Sequence, residues 1–305
     1  MSEPAHVFTV FTPTFNRAHT LPRVYDSLRK QTMTDFEWLV VDDGSTDGTR
    51  DLIRGWAGGS PFPIRYFHQE NSGKHVAENV AVREARGRFT STLDSDDWYT
   101  PDALEIFLAA WNSIPADEQE SFVGIVALCA DTDGSVIGTR FPADPLDTTY
   151  TDLVFRHGVT GDKAGFGRTD VAREYRFPVI PDETLIIEFL VYSRLARHYR
   201  IRCVNQIVKI VEYQPEGLSA ARSASRVSEL VHNPRTATLF FREQLDVPAL
   251  PPRAAARAHV NYSRFALHAG FGTKSLRDTP SKAMWALTFP IAAAAYLRDR
   301  LRARA

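Results

Sequence analysis

Val40-Val41-Asp42-Asp43-Gly44-Ser45-Thr46-Asp47 and Leu93-Asp94-Ser95-Asp96-Asp97-Trp98 stand about fifty residues apart. Each is an apolar run that ends in carboxylates and leads into polar, helix-initiating residues. Such a run predicts a buried strand with its acidic residues at the carboxyl end, where open α/β sheets bind their ligands. The second cluster can hold Mg²⁺ or Mn²⁺ against a diphosphate, because hard carboxylate oxygens suit these ions and leave positions for phosphate oxygens. Three carboxylates this close repel one another and are costly unless a cation lies among them.

Outward from these clusters, the first hundred residues alternate strand and helix patterns in the βαβ manner. Strands are predicted at 7–11, 36–41, 64–68 and 88–93, and helices at 20–31, 46–56 and 73–86. The first helix is capped by Thr20 with Pro22 in its first turn, where a missing N–H is harmless. These elements predict an α/β fold, Rossmann-like, with a mostly parallel sheet and flanking helices. Beyond them the pattern predicts a helix to about 114, strands at 122–130 and 135–141 joined by the turn Asp131-Thr132-Asp133-Gly134, and loops over 142–167. A helix over 181–200, a strand over 201–213 and a helical remainder follow. The stretch Val247-Pro248-Ala249-Leu250-Pro251-Pro252 predicts a boundary between a catalytic domain, 1–250, and a basic helical segment, 251–305.

The 305 residues carry a net charge of -1, which hides an asymmetry: +8 from Arg253 to Ala305 against -9 before it. A basic tail fits nucleic acid or an anionic membrane. This one also holds the uncharged stretch 284–297, too short to span a bilayer but suited to a helix in the interface. Trp285 and Tyr296 would sit at headgroup depth, Phe289, Ile291 and Leu297 would insert, and Arg298, Arg300, Arg302 and Arg304 would meet anionic lipid. A tail helix packed on the domain is the alternative. Cys129 and Cys203 have no metal-ligand spacing and read as buried thiols in a reducing compartment. The amino terminus has no signal-peptide pattern, so a cytoplasmic protein, peripheral on the inner face of the cell membrane, is expected.

Thr12-Pro13-Thr14-Phe15-Asn16-Arg17 follows the first strand and offers short polar groups to a nucleotide; alone it reads equally as a loop before a helix, with Asn16 capping. Asp42 or Asp43 can accept hydrogen bonds from a base or ribose, or simply build the turn. In Asn71-Ser72-Gly73-Lys74-His75, Lys74 near a helix start favours phosphate, while the fuller pattern of a P-loop is absent.

These four motifs, with Asn-Ser-Gly-Lys-His-Val-Ala-Glu-Asn at 71–79 counted whole, resemble in order and spacing the family-2 glycosyltransferases of the GT-A fold over roughly residues 5–215. The resemblance implies an inverting enzyme that takes a nucleotide-diphosphate sugar, commonly a UDP-sugar, with Mn²⁺ or Mg²⁺. By position, Thr12, Pro13, Thr14, Asn16, Arg17, Asp42, Asp43, Lys74, Asp94, Ser95 and Asp96 are assigned to the donor site. Asp43 resembles the nucleoside contact, and Asp96 and Asp97 the metal pair, with either one dominant. The family's base lies in a Glu-Asp pair opening a helix before an aromatic residue. Here Glu188 precedes Tyr192 and is favoured as the base, since a carboxylate among Ile186, Ile187, Phe189 and Leu190 is costly without a function; Asp182-Glu183 offers the acidic pair itself. Stretches 161–164 and 212–219 resemble the acceptor side and a mobile loop over the donor in a bacterial branch. A growing polysaccharide or a lipid-linked sugar is the expected acceptor. A nucleotidyltransferase and an inactive nucleotide-sugar-binding protein are the alternatives; the first normally has a glycine-rich loop after its first strand, and 12–17 has no glycine.

Overall fold

The computed structural model describes residues 4–185, 187–213 and 227–302. Two compact units divide the chain: Met1–Phe177 with His198–Pro215, and Pro178–Arg197 with Glu216–Ala305.

The first unit is built on a sheet of nine strands. β1 (His6–Thr14), β2 (Phe36–Asp42), β3 (Ile64–His68) and β4 (Gly87–Thr92) run parallel in the order β3-β2-β1-β4. Alternate residues of β1 and β2 serve opposite faces, as the period of two requires. Phe8, Val10, Phe36, Trp38 and Val40 pack with Leu21, Val24 and Leu28 of α1 (Leu21–Arg29) and Ile53 of α2 (Thr49–Ala57). Phe11, Leu39 and Val41 face the other way, onto Ala77 and Ala81 of α3 (Lys74–Glu84). Layers on both faces explain why these strands read as continuous apolar runs. Their buried exception, Glu37, accepts hydrogen bonds from Thr9 Oγ1 at 2.7 Å and Arg65 Nη1 at 3.2 Å.

The other half of the sheet is mixed. After β5 (Trp98–Tyr99) and α4 (Ala103–Asn112) come β6 (Phe122–Ala130), β7 (Leu146–Thr148), α5 (Tyr150–Phe155), β8 (Lys163–Arg168), α6 (Thr169–Glu174) and β9 (Arg200–Ile210). β8 lies between β4 and β6, antiparallel to both. Loops are predicted there because Lys163-Ala164-Gly165-Phe166-Gly167-Arg168 is rich in glycine, yet the strands need it. A Cβ on Gly124 would lie 1.8 Å from the Phe166 carbonyl oxygen, and one on Gly165 2.3 Å from that of Ile125. The strand predicted at 135–141 is reduced to one bridge, Ala130 to Val136. Gly138, at φ 72°, turns the chain where a Cβ would meet the Thr160 carbonyl oxygen at 2.1 Å.

In the second unit, α7 (Phe189–Leu195) is shorter than the helix predicted over 181–200. α8 (Pro234–Gln244) and α9 (Pro252–His268) share one cluster, Ala237, Phe241, Ala258, Tyr262 and Phe265. The cluster thus joins residues on both sides of position 250. α10 (Ser275–Asp278) and α11 (Lys282–Arg302) complete the described part. Arg264 of α9 grips Asp299 of α11 through two bonds of 2.6 Å, and His268 Nε2 lies 3.2 Å from the same carboxylate. Burial alone would raise the Asp299 carboxyl; the bonds from Arg264 and His268 outweigh it and hold it below the usual range. Trp285 is buried, with Nε1 donating to Ser275 Oγ at 3.1 Å and its ring stacked on Phe289 at 4.3 Å. Tyr296 packs edge-on to His268 at 4.7 Å. Of the aromatic residues expected at a membrane, Trp285 is buried and Phe289 and Tyr296 are half-buried. Leu287, Ile291, Leu297 and Leu301 point outward instead, each at least 60 % exposed. Arg304 lies outside the described residues, and no described helix is long and apolar enough to cross a membrane.

Candidate functional site

The parallel register sets Thr14 beside Asp42 and Phe11 beside Thr92. The three motif loops after β1, β2 and β4 therefore leave the sheet along one edge. Asn16, in the left-handed region at φ 53°, ties the first two together: its N–H donates to Ser45 Oγ and its Oδ1 accepts from the Thr46 N–H, both at 2.8 Å. Thr12 is buried and accepts from Trp38 Nε1 at 2.9 Å, so its hydroxyl faces the core. Pro13 and Thr14 are buried too, and Arg17 is half-buried. Thr14 Oγ1 has no hydrogen-bond partner among the described residues.

Asp42 accepts from the Ser45 N–H at 2.7 Å and from the Tyr66 hydroxyl. Asp43 accepts from Gln69 Nε2 at 2.7 Å and from the N–H groups of Ser72 and Gly73 at 2.8 Å. It thereby moulds the loop that opens α3. Three bonds leave a carboxylate room for about one more donor, such as a nucleoside N–H or hydroxyl. Gly44 is required at its turn: φ is 92°, and a Cβ would lie 2.9 Å from the Asn71 nitrogen. Burial lowers the His75 imidazole pKa, with Asp43 opposing.

The acidic loop after β4 is already threaded with cations. Lys74 Nζ lies 2.8 Å from Asp94 Oδ1. Lys209 Nζ, from β9, lies 2.6 Å from Asp97 Oδ2 and 3.6 Å from Asp94 Oδ2. Burial alone would raise the Asp94 carboxyl, but Lys74 and Lys209 hold it far below the usual range. Burial, followed by the charge of Asp94, pushes the Asp96 carboxyl up. No side-chain hydrogen bond or ion pair reaches that carboxylate among the described residues. Its backbone oxygen accepts from Arg23 Nη2 at 3.2 Å, and Arg23 also pairs with Glu212 and lies 4.8 Å above the Trp98 ring. Ser95 is buried. Sequence reasoning assigned no role to Arg23 or Lys209; the signal for Lys209 was a lone lysine inside the apolar strand Ile207-Val208-Lys209-Ile210.

The candidate bases lie in the second unit. Glu183 is buried and accepts from the N–H groups of Arg235 and Thr236 at 2.8 and 2.7 Å. It thus satisfies two unpaired donors in the first turn of α8. Asp182 is 92 % exposed, 3.7 Å from Arg235 Nη2. Glu188 is half-buried and occupies the position just before α7, not a helix interior. Ile186 and residues 214–219, the greater part of the predicted donor loop, lie outside the described residues. Asp162, on the predicted acceptor side, accepts from the Tyr213 hydroxyl at 2.9 Å.

No group of three or more His, Cys, Asp or Glu side chains among the described residues could hold a metal by itself. The set fits an ion that keeps few protein ligands, as Mg²⁺ does when one or two carboxylates hold it beside substrate phosphates. The open Asp96 carboxylate is the fitting ligand. A cavity of about 590 Å³ touching Ala5, Arg86 and Gly87 lies at the opposite ends of β1 and β4.

Residues 9–118 match the sequence model described as Glycosyl transferase family 2. A chondroitin synthase of Pasteurella multocida is 32% identical over 151 residues, 49% of this chain and 15% of that protein. The chain therefore spans a minor part of that relative's length. Among solved structures, TarS 1-349 of S. aureus in complex with UDP-GlcNAc aligns at a TM-score of 0.63 with 19% identity, covering 95% of this chain and 80% of that one. Mannosyltransferase PcManGT from Pyrobaculum calidifontis, in complex with GDP-Man and Mn²⁺, aligns at 0.56 with 21% identity, covering 96% and 82%. Both support the GT-A fold.

Proposed function

Through residues 9–118 the chain belongs to glycosyl transferase family 2, and from that premise we propose that it moves a sugar from a nucleotide-diphosphate sugar to an acceptor hydroxyl in polysaccharide synthesis. The observation that carries this reading is the acidic edge. Asp43 shapes a loop at the carboxyl end of β2, and Lys74 and the Asp96 carboxylate stand at the neighbouring loops of the same sheet edge, which supports a nucleotide-diphosphate site there. Neither an inactive binding protein nor a nucleotidyltransferase has a specific observation in its favour. UDP is the proposed nucleotide, supported by the neighbour in complex with UDP-GlcNAc.

Asp96 would hold Mn²⁺ or Mg²⁺, which when bound would supply positive charge to the departing diphosphate. The chain's own groups do the rest. Lys74 lends charge near the phosphates, and Asp43 accepts a hydrogen bond from the nucleoside. Glu188 takes the proton of the acceptor hydroxyl as that oxygen attacks the anomeric carbon. A single displacement of this kind inverts the anomeric centre and needs no covalent enzyme intermediate, unlike the retaining route. A saccharide or lipid-linked sugar is the proposed acceptor. The outward apolar stripe Leu287, Ile291, Leu297 and Leu301, with Arg298, Arg300 and Arg302 exposed on the same helix, favours peripheral contact with the inner face of an anionic membrane.

Calorimetric titration of UDP tests the donor site. Binding is expected with Mn²⁺ present and is expected to weaken about tenfold or more in Asp43→Ala, which loses the loop's anchor and the nucleoside acceptor. Equal binding by wild type and Asp43→Ala would remove the donor site from this edge.

A further inference from the structure

Asp94, Asp96 and Asp97 put three carboxylates on four consecutive residues, and the chain brings two lysines to them. Lys209 is delivered by topology: β5 pairs antiparallel with β9, setting Tyr99 against Lys209, and so places the ammonium beside the loop that precedes β5. Its side chain is 7% exposed and that of Asp97 6%, with 2.6 Å between their charged atoms. A buried pair this short fixes both partners, because separating either one strands the other's charge away from water. Asp94 is bracketed by Lys74 at 2.8 Å and Lys209 at 3.6 Å. Asp96 alone has no side-chain partner among the described residues, while Arg23 holds its backbone oxygen.

Resting on the donor-site reading above, we propose that Lys209 is a resident cation that divides the roles of the three carboxylates. It occupies Asp97 and steadies Asp94, so that a divalent cation takes Asp96 and does not take Asp97. Lys209 is a positioning residue. It reduces a cluster of three negative charges, with Lys74, to a net single charge, which lets the loop persist whether or not a divalent cation is bound.

The test is Mn²⁺ binding to the full chain in the presence of UDP, read as loss of the free-ion electron paramagnetic resonance signal, with melting recorded for every variant. Asp96→Asn is expected to weaken Mn²⁺ binding by about tenfold or more, and Asp97→Asn by no more than about threefold. Lys209→Arg keeps the cation and is expected to preserve Mn²⁺ affinity. Lys209→Met frees Asp97 and is expected to strengthen Mn²⁺ binding, a gain that Asp97→Asn in the same chain removes. A purely structural lysine would change melting without that gain. Should Lys209→Met not fold, the comparison of the two aspartate variants still decides. An Asp97→Asn loss as large as that of Asp96→Asn overturns the division of roles while leaving the metal-dependent donor site intact. Failure of wild type to bind Mn²⁺ with UDP, although UDP itself binds, overturns both the metal and the part given to Lys209.

Discussion

Two glutamates five residues apart show how one side chain type serves different ends. Glu183 receives two N–H groups of α8, contacts that a helix start needs and that the protein would lose stability without. Glu188 stands half-buried before α7, four residues ahead of Tyr192, and is the base of the proposed function. Glu183→Gln is therefore expected to lower stability by about 1–2 kcal/mol, the usual cost of a lost cap, while keeping turnover. Glu188→Gln is expected to lower turnover on the order of 10²-fold with donor binding unchanged. Thermal melts and initial rates on both variants decide, and the opposite pattern transfers the base to Glu183. The placing of Asn16, Asp42, Asp43 and Asp94 at strand-end loops was legible because strand, turn and helix start lie within one short stretch. The engagement of Asp97 by Lys209 was not, since it depends on a strand pairing between distant segments.

At the scale of elements, β1 to β4 and α1 to α3 could be read because their periods are clear and their connections short. β8 escaped notice since the glycines that let it approach β6 and β4 also dilute a strand's apolar pattern. α11 has apolar residues all round, so the sequence marks a helix without saying which face packs. The structure settles that by burying Trp285 and Asp299 and leaving Leu287 and Ile291 outside. Full burial of such a side chain contributes roughly 1.5–3 kcal/mol, and each basic residue near anionic lipid about 1 kcal/mol. Leu287→Ser with Ile291→Ser is expected to reduce co-sedimentation with vesicles of anionic lipid at least tenfold, and added salt to weaken the remainder. Undiminished sedimentation of the double variant would show that this stripe does not meet lipid.

Over the whole molecule, charge is divided along the sequence, with -9 before Arg253 and +8 from there on. The acidic edge and the parallel half-sheet belong to the first part, and α11 to the second. Asp43, Lys74 and Asp96 stand at the carboxyl ends of parallel strands, and on the proposed function they would stabilise a leaving nucleoside diphosphate there. The most direct measurement is release of nucleoside diphosphate from a panel of nucleotide sugars, with and without Mn²⁺, by wild type and Asp96→Asn. Metal-dependent release from at least one donor, lost in excess chelator and reduced about tenfold or more in Asp96→Asn, is the expected result. Release that persists at full rate in chelator, or no release from any donor with saccharide acceptors present, would contradict it.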